Sequence, residues 1–417
     1  LLIKFGFGNG FQTVDIPNKN LIGILKSNHA DSALTEEEEV LRAIHVPIRS
    51  LPLSRIVHSG EKVAVITSDL TRPMPTSLVM PAVLDELYRG GVRPEDITLV
   101  FALGSHRKQT DAERRKLAGE RAWKEIRCAD FDASDCVCMG TTSRGTPVEL
   151  SRTVAEADRR VCLGNIEYHY FAGYSGGMKA ILPGVAAWKT IQANHSHMTD
   201  PAACAGRMEG NPVRQDLEEA VTRFCPADFI LNVILDEHKK IIHAAAGHPV
   251  YAHREGCAFL DRIYRAEISH KADIVICSQG GAPKDLNLYQ TQKALDNAKH
   301  AVKKGGVIIL IGSCKEGLGQ KVFEQWMVES PTPHDMIEHI QSNFQLGGHK
   351  AAAIAMVLEN ADIYLVSEME PTFVRRIFLT PFFSAQEALN AAFKKLGENA
   401  TVLAMPYGGS TLPIVKK

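Results

Sequence analysis

Short β-branched runs alternate with amphipathic stretches along this chain, the pattern of strands buried on both faces and of helices that cover them. Lys62–Ser68 (KVAVITS) and Ile97–Gly104 (ITLVFALG) are two such runs, with helical spacing near Ser77–Arg89 between them before the turn signal GGVRP. Together they predict a βαβ unit. A further run, Arg160–Gly164, enters a glycine-rich loop from Glu167 to Lys179; Pro183-Gly184 follow, and helical spacing resumes from about Val185 to His195.

The alternation restarts at Asp273: ADIVICS, a helix near Leu288–Lys303, GGVIILIGS, helices up to Leu358, ADIYLVS, a helix near Ala385–Leu396, then TVLAMP. This predicts an α/β fold of two domains, each with a mostly parallel sheet flanked by helices. The polar helical stretch Arg254–His270 is the expected hinge, dividing residues 1–268 from 269–417. A ligand site is expected in the interdomain cleft.

Composition narrows the class. The 417 residues suit about two domains. Lys plus Arg total 47 against 48 Asp plus Glu, so nothing in the charge balance points to nucleic acid or to an anionic membrane, and a small molecule is the expected partner. The nine cysteines are scattered, the closest pair being Cys136 and Cys138, which is not the doubled C-x-x-C of a zinc site; reduced thiols in a cytoplasmic compartment are expected. Lys4 and early glycines break the apolar opening LLIKFGFGNG, and no apolar run later reaches 18 residues, so neither a signal peptide nor a membrane span is expected.

Candidate chemistry lies after the predicted strands, where open α/β sheets bind ligands. Asp69-Leu-Thr-Arg-Pro offers Arg72 as a planar fork for a carboxylate or phosphate and Asp69 as an acceptor for a ribose hydroxyl; a capped turn explains the same residues. His106, in Gly-Ser-His-Arg, serves as a base near neutral pH or as a structural imidazole, and His169 has the same two readings. The Gly173–Lys179 loop, with Gly176 and Gly177, lets backbone N–H groups approach an anion beside the Lys179 charge. It is not a Walker A loop, because Met178 precedes the lysine and no hydroxyl follows it. His195 and His197 form a candidate metal pair, although His-x-His shares a face only in extended chain. Tyr289-Gln290-Thr-Gln-Lys293 opens a helix on which Gln290 and Lys293, three apart, share a face.

In this order and spacing the motifs resemble the nickel-dependent lactate racemases. The segment His169-Tyr-Phe-Ala-Gly-Tyr-Ser-Gly-Gly-Met-Lys179-Ala-Ile-Leu-Pro-Gly with His195 sixteen residues after the lysine carries most of the resemblance, and Asp-x-Thr-Arg-Pro, Gly-x-His-Arg and Tyr-Gln-x-x-Lys add to it. The resemblance implies an isomerase that inverts C2 of a 2-hydroxy acid by hydride transfer. Its cofactor would be a nickel pincer nucleotide (pyridinium-3,5-bisthiocarboxylic acid mononucleotide nickel), held in the N-terminal domain, open to covalent attachment at Lys179 and supplied by cofactor-biosynthesis proteins. By position His195 corresponds to the metal ligand, His106 and His169 to the acid/base pair, Lys179, Asp69, Gly176 and Gly177 to cofactor contacts, and Arg72, Tyr289, Gln290 and Lys293 to substrate contacts, the last three from the C-terminal domain. Met178 departs from the family, whose lactate enzymes usually carry arginine there. The competing readings are a sugar-acid or hydroxydicarboxylate epimerase with the same cofactor, a non-catalytic nucleotide-binding protein, and a zinc hydrolase built on His195 and His197, for which His-Glu-x-x-His is absent.

Overall fold

A computed structural model describes residues 1–26, 33–236 and 238–416. The chain forms two compact units, Ala30–Arg262 and a second made of Leu1–His29 with Ile263–Lys417.

In the first unit, a six-stranded sheet runs in the order Ile241–Gly247, Phe229–Leu235, Arg159–Asn165, Val63–Ser68, Ile97–Ala102, Arg127–Asp130. All neighbours are parallel except the Phe229–Leu235 and Ile241–Gly247 pair, which is antiparallel. Val63, Val65, Leu99, Phe101, Val161 and Leu163 point into one core, against Val79, Met80, Val83, Leu84 and Leu87 of helix Thr76–Arg89 and Val40 and Ile44 of helix Glu36–His45. The latter helix starts at a capping box, in which Thr35 and Glu38 satisfy each other's backbone N–H groups.

The chain leaves Val63–Ser68 toward one edge through Ile97–Ala102 and Arg127–Asp130, then returns to the other side of Val63–Ser68 with Arg159–Asn165. The strand order therefore reverses between Val63–Ser68 and Arg159–Asn165. Loops leaving adjacent strands at such a reversal diverge and open a crevice at their carboxyl ends. Asp69, His106 and the glycine-rich loop all follow strands at or beside this point.

The second unit has an all-parallel sheet in the order Thr380–Phe382, Ala361–Val366, Val302–Ile311, Ala272–Ser278, Val402–Met405, Leu21–Ile24. Here the boundary expected at 268/269 is corrected, because the start of the chain belongs with its end. Leu21–Ile24 takes the sheet edge beside Val402–Met405, and the hairpin of Leu2–Phe7 with Gly10–Asp15 buries Phe5, Val14 and Ile16 in the core formed with Ile274, Ile309 and Leu389. The expected hinge is regular structure, helix Tyr251–Tyr264 followed by strand Arg265–Ile268, and the units divide inside the last turn of that helix. Helix Leu288–Ala298 stops short of Lys303, because Val302 already pairs with Ala272 as the next strand. Among the described residues no helix is long and apolar enough to cross a membrane, and no disulfide joins the cysteines.

Candidate active site

The loop after Val63–Ser68 delivers Asp69, which is almost fully buried. Its Oδ1 accepts from the Thr71 backbone N–H at 3.1 Å and from the Thr71 hydroxyl at 2.6 Å, a local turn that short polar side chains make readily. Its Oδ2 lies 2.7 Å from Nδ1 of His106, which the next strand's loop brings alongside. That loop is itself anchored: His106 N–H donates to Leu103 O, and Gly104 N–H donates to Gly184 O, both at 2.8 Å. Burial alone would raise the Asp69 carboxyl, but the His106 and Thr71 hydrogen bonds outweigh it and hold it below the usual carboxylate range. An ionised Asp69 makes Nδ1 of His106 the donor and leaves the lone pair on Nε2. Arg72, in the same turn, is exposed.

The loop after Arg159–Asn165 folds into a tight hairpin, Tyr168–His169 against Gly173–Tyr174. Phe171 at its tip touches three candidate groups. His169 meets the Phe171 ring edge-on at 4.5 Å between centroids, His195 does so at 4.9 Å, and Lys179 Nζ lies 5.8 Å from the ring centroid. Nδ1 of His169 accepts from the Ala172 N–H at 3.3 Å, so the neutral ring carries its proton on Nε2. Burial, then the charges of Lys179 and Arg72, push His169 well below the ordinary histidine value. Lys179 is half-buried, and it too is pushed far down, by burial and by Arg214 and Arg72, which favours the neutral amine. Arg72 thus bears on both residues, which ties the Asp69–His106 turn to the hairpin.

His195 sits near the end of helix Trp188–Ser196, 7% exposed. Its Nδ1 lies 3.0 Å from Oδ1 of Asn194, whose Nδ2 is spent on Val213 O and on the fully buried Asp216 carboxylate, so Nδ1 carries the proton and Nε2 the lone pair. Such a carboxylate–amide–imidazole chain is the outer support a metal-binding histidine requires. His197 opens the next helical turn. Among the described residues no group of three or more His, Cys, Asp and Glu could hold a metal ion.

Two expected cofactor contacts have other partners. Both Asp69 oxygens are engaged within the protein rather than presented to a ribose. The Gly177 N–H donates to Oδ1 of Asn232 at 2.7 Å, and a Cβ on Gly177 would come within 2.8 Å of the His253 ring. A Cβ on Gly176 would meet Asn232 Oδ1 at 2.8 Å and Ile166 at 2.9 Å. These glycines let the loop press onto Asn232 and His253. Met178 is buried, with Thr222 donating to its sulfur at 3.7 Å.

Tyr289, Gln290 and Lys293 lie in the other unit, in the first turns of helix Leu288–Ala298, capped by Asn287. Lys350, 7% exposed, donates to Tyr289 O at 2.6 Å and stands 4.1 Å from the centroid of its ring; Gln279 donates to Gln290 O at 3.0 Å. Sequence reading missed Lys350, Phe171, Arg214, Asn232 and His253. Only Asn232 left a clear mark, as the lone polar residue in the apolar run FILNVIL.

Residues 7–206 match the lactate racemase N-terminal domain family and residues 268–412 the lactate racemase C-terminal domain family. The chain is 34% identical to a lactate racemase of Thermoanaerobacterium thermosaccharolyticum, over 98% of each chain, and 31% identical to one of Lactiplantibacillus plantarum, over 95% of this chain and 96% of that one. It superposes on the lactate racemase apoprotein structure from T. thermosaccharolyticum with a TM-score of 0.89, covering 100% of both. A Thermotoga maritima structure, 19% identical, shares the fold at a TM-score of 0.63, over 93% of this chain and 100% of that one.

Proposed function

Because this chain belongs to the lactate racemase family, we propose that it inverts C2 of a small 2-hydroxy acid with His106 and His169 as the acid/base pair and a nickel pincer nucleotide as cofactor. It is an isomerase. The observation that carries the reading is that two differently prepared imidazoles stand on the loops after the two strands that flank Val63–Ser68, with the Arg72 charge bearing on His169. His106 has its lone pair on Nε2 and a carboxylate behind it, whereas His169 is half-buried with its proton on Nε2.

The residues present fit the cofactor. A metal held here would have Nε2 of His195 as its protein ligand, with Asn194 and Asp216 supporting the ring from behind. Imidazole suits nickel. The charges acting on Lys179 are the cations Arg214 and Arg72, which suits an anionic nucleotide, and a neutral lysine amine is the form that would be open to covalent attachment of that group. When bound, this cofactor accepts hydride from C2 and returns it.

The chain's own groups handle the proton and the charge. Nε2 of His106 takes the hydroxyl proton, and the Asp69 carboxylate stabilises the imidazolium that forms. Arg72 offers a bidentate site for the substrate carboxylate. That carboxylate offsets the positive charges acting on His169, so that this second imidazole can carry a proton and return it to the hydroxyl oxygen once the opposite face of C2 has been reached. The motif match assigns Tyr289, Gln290 and Lys293 to substrate contacts. Cysteines without disulfides support a reducing, cytoplasmic setting, and maturation would depend on cofactor-biosynthesis proteins.

The test is isotopic. A 2-deuterated 2-hydroxy acid should racemise with its label retained, and unlabelled substrate in D₂O should acquire little deuterium at C2. Substantial exchange with solvent would replace hydride transfer by direct deprotonation at C2 and would overturn the cofactor role.

A further inference from the structure

Between His169 and Lys179 the main chain is held from behind, carbonyl by carbonyl. Asn211 Nδ2 donates to Phe171 O at 2.8 Å, Arg214 Nε donates to Ala172 O at 3.1 Å, Arg214 Nη2 donates to Tyr174 O, and His253 Nε2 donates to Ser175 O at 2.8 Å. These donors come from two helices, Pro212–Phe224 with its cap Asn211, and Tyr251–Tyr264. Asn211 has two tasks, since its Oδ1 also caps the first helix by accepting from the Arg214 N–H at 3.1 Å.

Arg214 is the centre of this arrangement. Its side chain is 1% exposed, and its third nitrogen, Nη1, makes no hydrogen bond, standing 3.7 Å from Glu218. Glu218 is itself committed to Arg254 at 2.8 Å, and Arg254 donates to Nδ1 of His253 at 3.2 Å. A buried guanidinium whose own carboxylate is distant and shared is costly to keep. Burial lowers its basicity to about 10, so it stays charged at neutral pH. A hairpin needing only two carbonyl partners could use a neutral donor at lower cost.

We propose that Arg214 is a positioning residue for both His169 and Lys179, fastening the main chain between them and keeping a fixed positive charge beside the lysine amine. The charge acts on the groups around it. Arg214 and Arg72 are the charges that bear on Lys179, and the two imidazoles coupled to that amine, His169 in the hairpin and His253 behind it, are kept neutral chiefly by burial. The inference rests on Lys179 facing the cofactor, but its test does not require the cofactor.

In the apoprotein, the pH at which Lys179 becomes reactive is measured by amine labelling and mass spectrometry in wild type, Arg214→Lys and Arg214→Met, with melting temperature followed in parallel. The pH midpoint of labelling is used because, unlike the rate, it does not change with access to the amine. Arg214→Met is expected to move the midpoint to higher pH, and Arg214→Lys, which keeps the charge, to leave it near wild type while loosening the hairpin. A folded Arg214→Met with an unmoved midpoint would overturn the proposal, leaving Arg214 a purely structural residue. Should Arg214→Met not fold, Arg214→Lys decides by hydrogen exchange: protection of the Gly173 and Tyr174 amides should fall, and unchanged protection would refute the fastening role. The tether reading fails separately, if Lys179→Ala retains the cofactor as strongly as wild type.

Discussion

Gly177→Ala tests whether the loop is built by contact with Asn232 and His253. The backbone there has φ +59°, and a methyl group would lie 2.8 Å from Cδ2 and 2.9 Å from Cγ of His253, closer than carbon atoms approach. Left-handed backbone costs a non-glycine residue about 1–2 kcal/mol. Overpacking against a buried ring that hydrogen bonds hold on both sides adds roughly 1–3 kcal/mol, giving ~2–5 kcal/mol in total. Gly145→Ala is the internal control, because Gly145 has φ +85° and a methyl there would meet nothing within 4 Å, so only the backbone cost of about 1–2 kcal/mol applies. Both glycines belong to the first unit, whose unfolding by urea can be followed through Trp123 and Trp188. The difference between the two variants isolates the contact with His253. If Gly177→Ala were no more destabilising than Gly145→Ala, the packing argument for this loop would be wrong.

Asp69→Asn keeps the shape but removes the charge behind His106; a charge-assisted hydrogen bond is worth about 1.5–3 kcal/mol, so kcat/KM should fall about tenfold to a hundredfold, with the melting temperature changing little. Activity within twofold of wild type would show that His106 does not depend on the carboxylate. His195→Ala should abolish nickel retention, measured by elemental analysis of protein matured in a cofactor-producing host; unchanged nickel would remove His195 from the metal. His253 supplies a pH dependence. Its folded-state value lies well below the ~6.5 of an unfolded histidine, so above that pH both states are neutral, and below it only the unfolded chain takes the proton. Stability should therefore drop by about 1.4 kcal/mol per pH unit on acidification below ~6.5, and His253→Gln should flatten the slope of urea midpoint against pH. Parallel slopes would contradict the burial argument.

By itself the sequence determined the α/β class and the candidate residues for the site. Strands such as KVAVITS and ADIVICS are apolar throughout because both faces are covered, and the loops after them announce Asp69, Arg72, His106 and the His169–Lys179 segment through glycine, proline and spacing, which are local signals. Tertiary structure alone decided what those residues do to one another. Asp69 reads in sequence as an acceptor for a ribose, yet in the fold it holds His106, because two adjacent parallel strands end side by side. Gly177 reads as an anion cradle, yet its N–H is taken by Asn232 from a distant strand. The first residues complete a sheet with the last ones, and no window along the chain contains both partners. Periodicity reports which face of a segment is buried; which segment buries it, and which charge stands beside which amine, depends on contacts between residues far apart in the chain.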